Sequence, residues 1–157
     1  MSAEFAAPTP FHAEHPSALA IYCSDGRFTR AVEELLRELG HERLDTLTMP
    51  GGPGLLNHLT ASYADADAVS RAAAFLIRGH HIADVVLLAH AGCGYYRNRR
   101  PGDSPEQIHA RQLDDLRAGA RALRKVEPAL GVRLYYAHAE GARVRFEPVP
   151  LERAAAR

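Results

Sequence analysis

The sequence predicts an α/β fold: a three-layer sandwich whose mainly parallel sheet carries an antiparallel strand at its C-terminal edge. Three observations predict it. Short apolar runs recur at residues 18–23, 44–49 and 84–90, and each is followed, directly or after a loop, by a segment with helical apolar spacing. Strands that alternate with helices pack as a parallel sheet covered on both faces. The last two runs, 132–137 and 144–149, have only a turn at Glu140-Gly141 between them, so they pair as a hairpin.

Taken in order, residues 1–17 read as an irregular arm, interrupted by Pro8, Pro10 and Pro16. Residues 18–23 (ALAIYC) are a buried strand. Residues 28–39 follow as a helix, because Phe28, Val32, Leu35, Leu36 and Leu39 form one apolar stripe. Gly40 stands where a helix end prefers glycine. Residues 44–49 (LDTLTM) form a second strand and run into Pro50-Gly51-Gly52-Pro53-Gly54, expected to be irregular. Ser62 with Asp65 opens a helix that Gly79 closes. Residues 84–90 (DVVLLAH) are the strongest strand, apolar enough to be buried on both faces. After a loop, Ser104-Pro105-Glu106-Gln107 supplies an N-cap, a first-turn proline and a capping glutamine. That helix must stop near Pro128. A single domain spans 18–150, and 151–157 is an Ala-rich tail.

Composition narrows the function. Among 157 residues, 19 Lys+Arg balance 19 Asp+Glu, so formal net charge is zero. A chain without surplus charge lacks the bulk electrostatic grip that nucleic acid or an anionic membrane surface requires. No apolar run approaches the roughly 18 residues of a membrane span. The N-terminus lacks the basic start and apolar block of a secretory signal, so a cytoplasmic protein is expected. In that reducing compartment the only two cysteines, Cys23 and Cys93, are not expected to form a disulfide.

In parallel α/β sheets, ligands bind beyond the C-terminal strand ends, where connections switch direction. That rule selects residues 23–27, 49–54 and 90–96. The first holds Cys23-Ser-Asp25-Gly-Arg27, in which Asp25 and Arg27 stand close enough for a bidentate ion pair. The third holds His90-Ala-Gly-Cys93, in which Gly92 eases a turn that lets both side chains reach one ion. Alone, each motif is weak, since an Asp–Arg pair at a strand end is more often a structural clamp, a lone cysteine more often packing and a strand-end histidine more often a satisfied polar residue. Together they place both cysteines at strand ends beside a histidine. Two Cys and one His are three of zinc's four preferred ligands, the pattern of a catalytic rather than a closed structural site.

The two motifs, in this order and on these elements, resemble those of the β-class carbonic anhydrases. The resemblance covers most of residues 18–149 and marks the chain as a short, divergent member with a β-carbonic-anhydrase-like sheet. It implies Zn2+ bound by Cys23, His90 and Cys93, with Asp25 and Arg27 as the catalytic dyad. It also implies reversible hydration of carbon dioxide to bicarbonate by zinc-bound hydroxide. The substrate would be a small uncharged molecule and the protein a homodimer or higher homo-oligomer, with the proline-rich arm a candidate for reaching a partner. Asp25 would orient the water or swing in as a fourth ligand, and Arg27 would hold it off the metal.

The chain departs from the family around the pocket. Met49-Pro50-Gly51-Gly52 stands where Arg-Asn-Ala-Gly is common, and Ala89 where a glycine is common. Neither Gln107 nor Gln112 matches the family's pocket glutamine. Tyr95 and Tyr96 are bulky after the metal loop and either narrow the pocket or pack; packing is expected for one of them. These departures bear on the substrate, so hydrolysis of carbon disulfide or carbonyl sulfide, or a non-catalytic zinc-binding role, stays open. A further alternative is a thiol enzyme, because Cys93 and Arg99 enclose five residues as in a cysteine phosphatase loop. Two tyrosines and an arginine inside that loop argue against it. His80-His81 reads as an exposed helix end.

Overall fold

The computed structural model of the protein describes residues 4–152. The chain order is β1 (Ala18–Cys23), α1 (Gly26–Glu38), β2 (Asp45–Met49), a 3-10 helix (Gly52–Leu56), α2 (Tyr63–Gly79) and β3 (Asp84–His90). It continues through α3 (Gly94–Arg99), α4 (Pro105–Val126), β4 (Gly131–Glu140) and β5 (Arg143–Pro148). The strands make one sheet in the order β2-β1-β3-β4-β5. β1 pairs in parallel with β2 and β3, and β3 with β4, while β4 and β5 are antiparallel. The expected fold class is the observed one.

Alternation along the central strands builds the layers. Leu19 and Ile21 of β1 face the same core as Ala66, Val69, Ala73 and Ile77 of α2 and Leu116, Ala120 and Leu123 of α4. Ala20 and Tyr22 face the opposite core, against Phe28, Val32 and Leu36 of α1. β3 divides likewise, Val85 and Leu87 to one side, Val86 and Leu88 to the other. Each fully buried aliphatic or aromatic side chain contributes about 1.5–3 kcal/mol relative to exposure. The caps read from sequence are present: Ser62 accepts from the Asp65 N–H, and Ser104 with Gln107 closes a reciprocal capping box.

Two segments differ from the sequence reading. Residues 50–54 are not wholly irregular, because Gly52–Leu56 winds into a 3-10 helix with proline in its first turn. Residues 94–99, expected as loop, form α3. Both elements are five or six residues long, too short for apolar spacing to reveal. Element ends also shift by one to three residues, with α1 opening at Gly26 and β4 running to Glu140. Of the 151–157 segment, residues 153–157 lie outside the described residues. Among the described residues, no helix is long and apolar enough to cross a membrane.

The sheet order sets the site. β1 hands the chain to β2 on one side, whereas β3 hands it to β4 on the other. The connections therefore diverge and open a crevice at the C-terminal ends of β1 and β3.

Candidate metal centre

Cys23 ends β1, His90 ends β3, and Cys93 is the N-cap of α3. Parallel pairing of Tyr22 with Leu88 sets these ends side by side. The Cys23 and Cys93 sulfurs lie 3.9 Å apart. With one ring nitrogen of His90 they form a group whose donor atoms are all within 4.8 Å of one another, the one such trio among the described residues. All three side chains are buried.

The histidine is held in a defined form. Its Nδ1 lies 2.9 Å from the Ala91 carbonyl, which can only accept, so Nδ1 carries the proton. Nε2 is then a bare lone pair, and it is buried without a hydrogen-bond partner. The Phe28 ring, 4.3 Å away between centroids, fixes the plane of the imidazole. An orphaned buried acceptor costs about 1–3 kcal/mol. Beside two sulfurs it makes an N, S, S donor set that suits zinc.

The two thiols titrate as a pair. The Cys93 S–H and the backbone N–H groups of Gly51 and Asp25 together draw the Cys23 thiol down, against the effect of burial. The same contact pushes Cys93 up, because its proton is held by the neighbouring thiolate and its charge would be buried beside a like one. The N–H groups of Tyr95 and Tyr96 work the other way at Cys93. One thiolate forms readily; the second awaits a cation, whose charge deprotonates a coordinating thiol.

Asp25 and Arg27 stand at the mouth. Asp25 caps α1, accepting the Arg27 backbone N–H at 3.1 Å. The Arg27 guanidinium grips both carboxylate oxygens, with Nε at 2.9 Å from Oδ1. That fork holds the Asp25 carboxyl down at about 2. Asp25 Oδ2 lies 4.0 Å from His90 Nε2, beside the donor trio but turned to Arg27.

The glycine-rich loop closes against this end of the sheet. Gly52 has φ +51°, and a Cβ there would stand 2.6 Å from the Cys23 backbone nitrogen. A Cβ on Gly51, at φ +91°, would stand 2.6 Å from the Tyr95 ring. Only glycine allows both approaches. Tyr96 packs against the cysteines and is fully buried; Tyr95 is half-buried over the loop.

No phosphate cradle forms after Cys93, because residues 94–99 are helical and Arg99 donates to the Thr60 carbonyl. His80 is not an exposed helix end: its Nδ1 lies 2.6 Å from Asp45 and its ring stacks on His15. The arm is tied to its own chain there and at Arg43, which donates to the Glu14 carbonyl.

No family model matches this sequence, and neither does any curated protein. Solved structures do. The β-carbonic anhydrase CafA of Aspergillus fumigatus is similar over 90% of this chain and 78% of its own, with TM-score 0.55 at 18% identity. Isoform I from Trichomonas vaginalis is similar over 88% of this chain and 86% of its own, with TM-score 0.56 at 14% identity. A tetrameric β-carbonic anhydrase of Sordaria macrospora covers 85% and 81%, with TM-score 0.52 at 15% identity. The chain has the β-carbonic anhydrase fold.

Within that β-carbonic anhydrase fold, two further polar residues belong to the site: Gln112, which the sequence reading set aside, and Asp115, which it missed. Gln112, far along the chain, is buried on α4 and donates to the His90 carbonyl at 2.9 Å. Its Oε1 accepts from Tyr136. Asp115, one turn further, binds the Tyr96 hydroxyl. Their signal was present as two polar residues on the otherwise apolar inner face of α4, beside Ile108, Leu116 and Leu123.

Proposed function

We propose that the protein is a zinc-dependent lyase of the β-carbonic anhydrase type that reversibly hydrates carbon dioxide to bicarbonate. The observation that carries this reading is the buried Cys23, His90, Cys93 trio, with its unpartnered Nε2, at the switch point of a β-carbonic anhydrase fold. Those three residues would hold the ion. Zinc, when bound, supplies a Lewis acid that brings the ionisation of water to about pH 7, the chemistry that carbon dioxide hydration requires.

The chain's own residues do the rest. The Ala91 carbonyl keeps His90 in the tautomer that presents Nε2. Asp25 stays ionised at any physiological pH and offers an acceptor for a water proton beside the trio. Arg27 occupies that carboxylate from the far side and holds it as an orienting acceptor, not a ligand. The buried apolar surround of Phe28, Ile108 and Tyr96 suits a small uncharged substrate. A homo-oligomer is part of this reading, in line with the tetrameric neighbour.

Metal analysis with stopped-flow carbon dioxide hydration tests it, on wild type and Cys93→Ser. The expected result is one zinc per chain with hydration activity, both lost in the variant. Zinc without hydration would transfer the proposal to carbon disulfide or carbonyl sulfide hydrolysis, or to a non-catalytic zinc protein. Absence of metal would overturn it.

A further inference from the structure

Asp115 is the one fully buried carboxylate among the described residues, on the inner face of α4. Burial pushes its pKa up, and only neutral donors pull it back. Asn57 Nδ2 at 2.7 Å and Thr60 Oγ1 at 2.9 Å share Oδ1, while the Tyr96 hydroxyl takes Oδ2 at 2.5 Å. A buried charge without a cation is expensive. A carboxylate has a use here that an amide lacks, because its two oxygens accept from all three donors at once.

Those donors come from three segments. Asn57 closes the 3-10 helix, Thr60 lies in the link to α2, and Tyr96 lies in α3. Tyr96 stands three residues after Cys93. Its ring packs against Cys23, Cys93 and Ile108, and its backbone N–H donates toward the Cys93 sulfur. The Gly54 backbone comes so near the Tyr96 hydroxyl that a Cβ at position 54 would overlap it. The missing side chain at Gly54 therefore leaves room for the phenol to reach Asp115. α3 itself is six residues long and has no side-chain cap at Cys93, so it is too short to hold its own shape.

We infer that Asp115 is a positioning residue for the candidate metal centre, acting through Tyr96 to fix the turn that presents the Cys93 sulfur. The inference rests on the zinc reading above and adds to it the part of the chain that sets where one thiolate stands. Thr60 is the internal control. Its Oγ1 donates to the same carboxylate, so Thr60→Val also takes a hydrogen bond from the buried network, while the Thr60 backbone carbonyl, the group that meets Arg99 of α3, is kept.

The test uses cobalt in place of zinc, because its d–d and thiolate charge-transfer bands report ligand geometry. Tyr96→Phe should lower cobalt affinity about 10–100-fold, the usual loss for an outer-shell partner, and shift both bands. Thr60→Val should leave affinity and bands unchanged, whatever it costs in melting temperature. Asp115→Asn is the second variant, in case Tyr96→Phe fails to fold. Its amide still accepts from Asn57 and Thr60 but turns a donor toward Tyr96, and it should shift the bands in the same way. Wild-type bands and affinity in Tyr96→Phe or Asp115→Asn would overturn the inference, and so would an equal shift in Thr60→Val. Wild-type protein that takes up no cobalt would instead fail the zinc reading and carry this inference down with it.

Discussion

Gly52→Ala is the sharpest probe of how the loop and the first metal-ligand strand fit together. The added Cβ would stand 2.6 Å from the Cys23 nitrogen and 2.7 Å from the Tyr22 carbonyl carbon. Both are backbone atoms, so no side chain can rotate away. Gly52 also sits at φ +51°, and an L side chain in the left-handed region costs about 1–2 kcal/mol. Overpacking adds about 1–3 kcal/mol. Together these amount to a loss of about 2–5 kcal/mol, or about 4–20 °C in Tm for a chain of this size. Relief requires moving β1, which carries Cys23, or the loop, which brings the Gly51 N–H to its sulfur, so metal affinity should fall as well. Thermal unfolding of the metal-free protein and a chelator competition read the two effects. Gly26→Ala is the control: it lies at the start of α1 with nothing within 4 Å of its built Cβ, and should be neutral or mildly stabilising. A Gly52→Ala Tm within about 1 °C of wild type would refute the reasoning, since even the smallest estimate exceeds it.

The remaining predictions concern charge, capping and metal linkage. Asp25 has its carboxyl at about 2, below the ordinary 3.8, so its ion pair favours folding above pH 4 and that contribution disappears as pH falls toward 2. Arg27→Gln removes the largest cause, and an NMR titration of the Asp25 carboxyl carbon should then show a midpoint shifted upward; an unmoved midpoint would contradict the fork. Ser104→Ala breaks the capping box of α4 and should cost about 1 kcal/mol, read as a Tm lower by about 2–4 °C. Zinc at a hundred times its Kd should stabilise wild type by about 2.7 kcal/mol, and Cys93→Ser should show no comparable gain in Tm.

What could be read along the chain depended on length and burial. β1 and β3 were legible to the residue because each is a continuous apolar run covered on both faces. α2 and α4 were legible because Ser62 and Ser104 announce their starts. The 3-10 helix and α3 were not, since tertiary contacts hold them and not periodicity: Gly52 against β1, Tyr96 against Asp115. In the site, Cys23, Asp25, Arg27, His90 and Cys93 stood out because they occupy short motifs at strand ends. Gln112 and Asp115 did not, because their partners are 22 and 19 residues away on other elements.

The sequence by itself determined the alternation of elements, and with it a parallel sheet whose strand ends carry every proposed metal ligand. Local chemistry was enough for that, because apolar spacing, caps and short motifs act within a few residues. Only the tertiary structure decided the distances: 3.9 Å between the sulfurs of two cysteines 70 residues apart in sequence, and a histidine nitrogen left bare in the core. It also decided which polar residues of α4 turn inward to hold the site. Those outcomes depend on how layers pack across the sheet, and packing is a property of contacts that no stretch of chain contains alone.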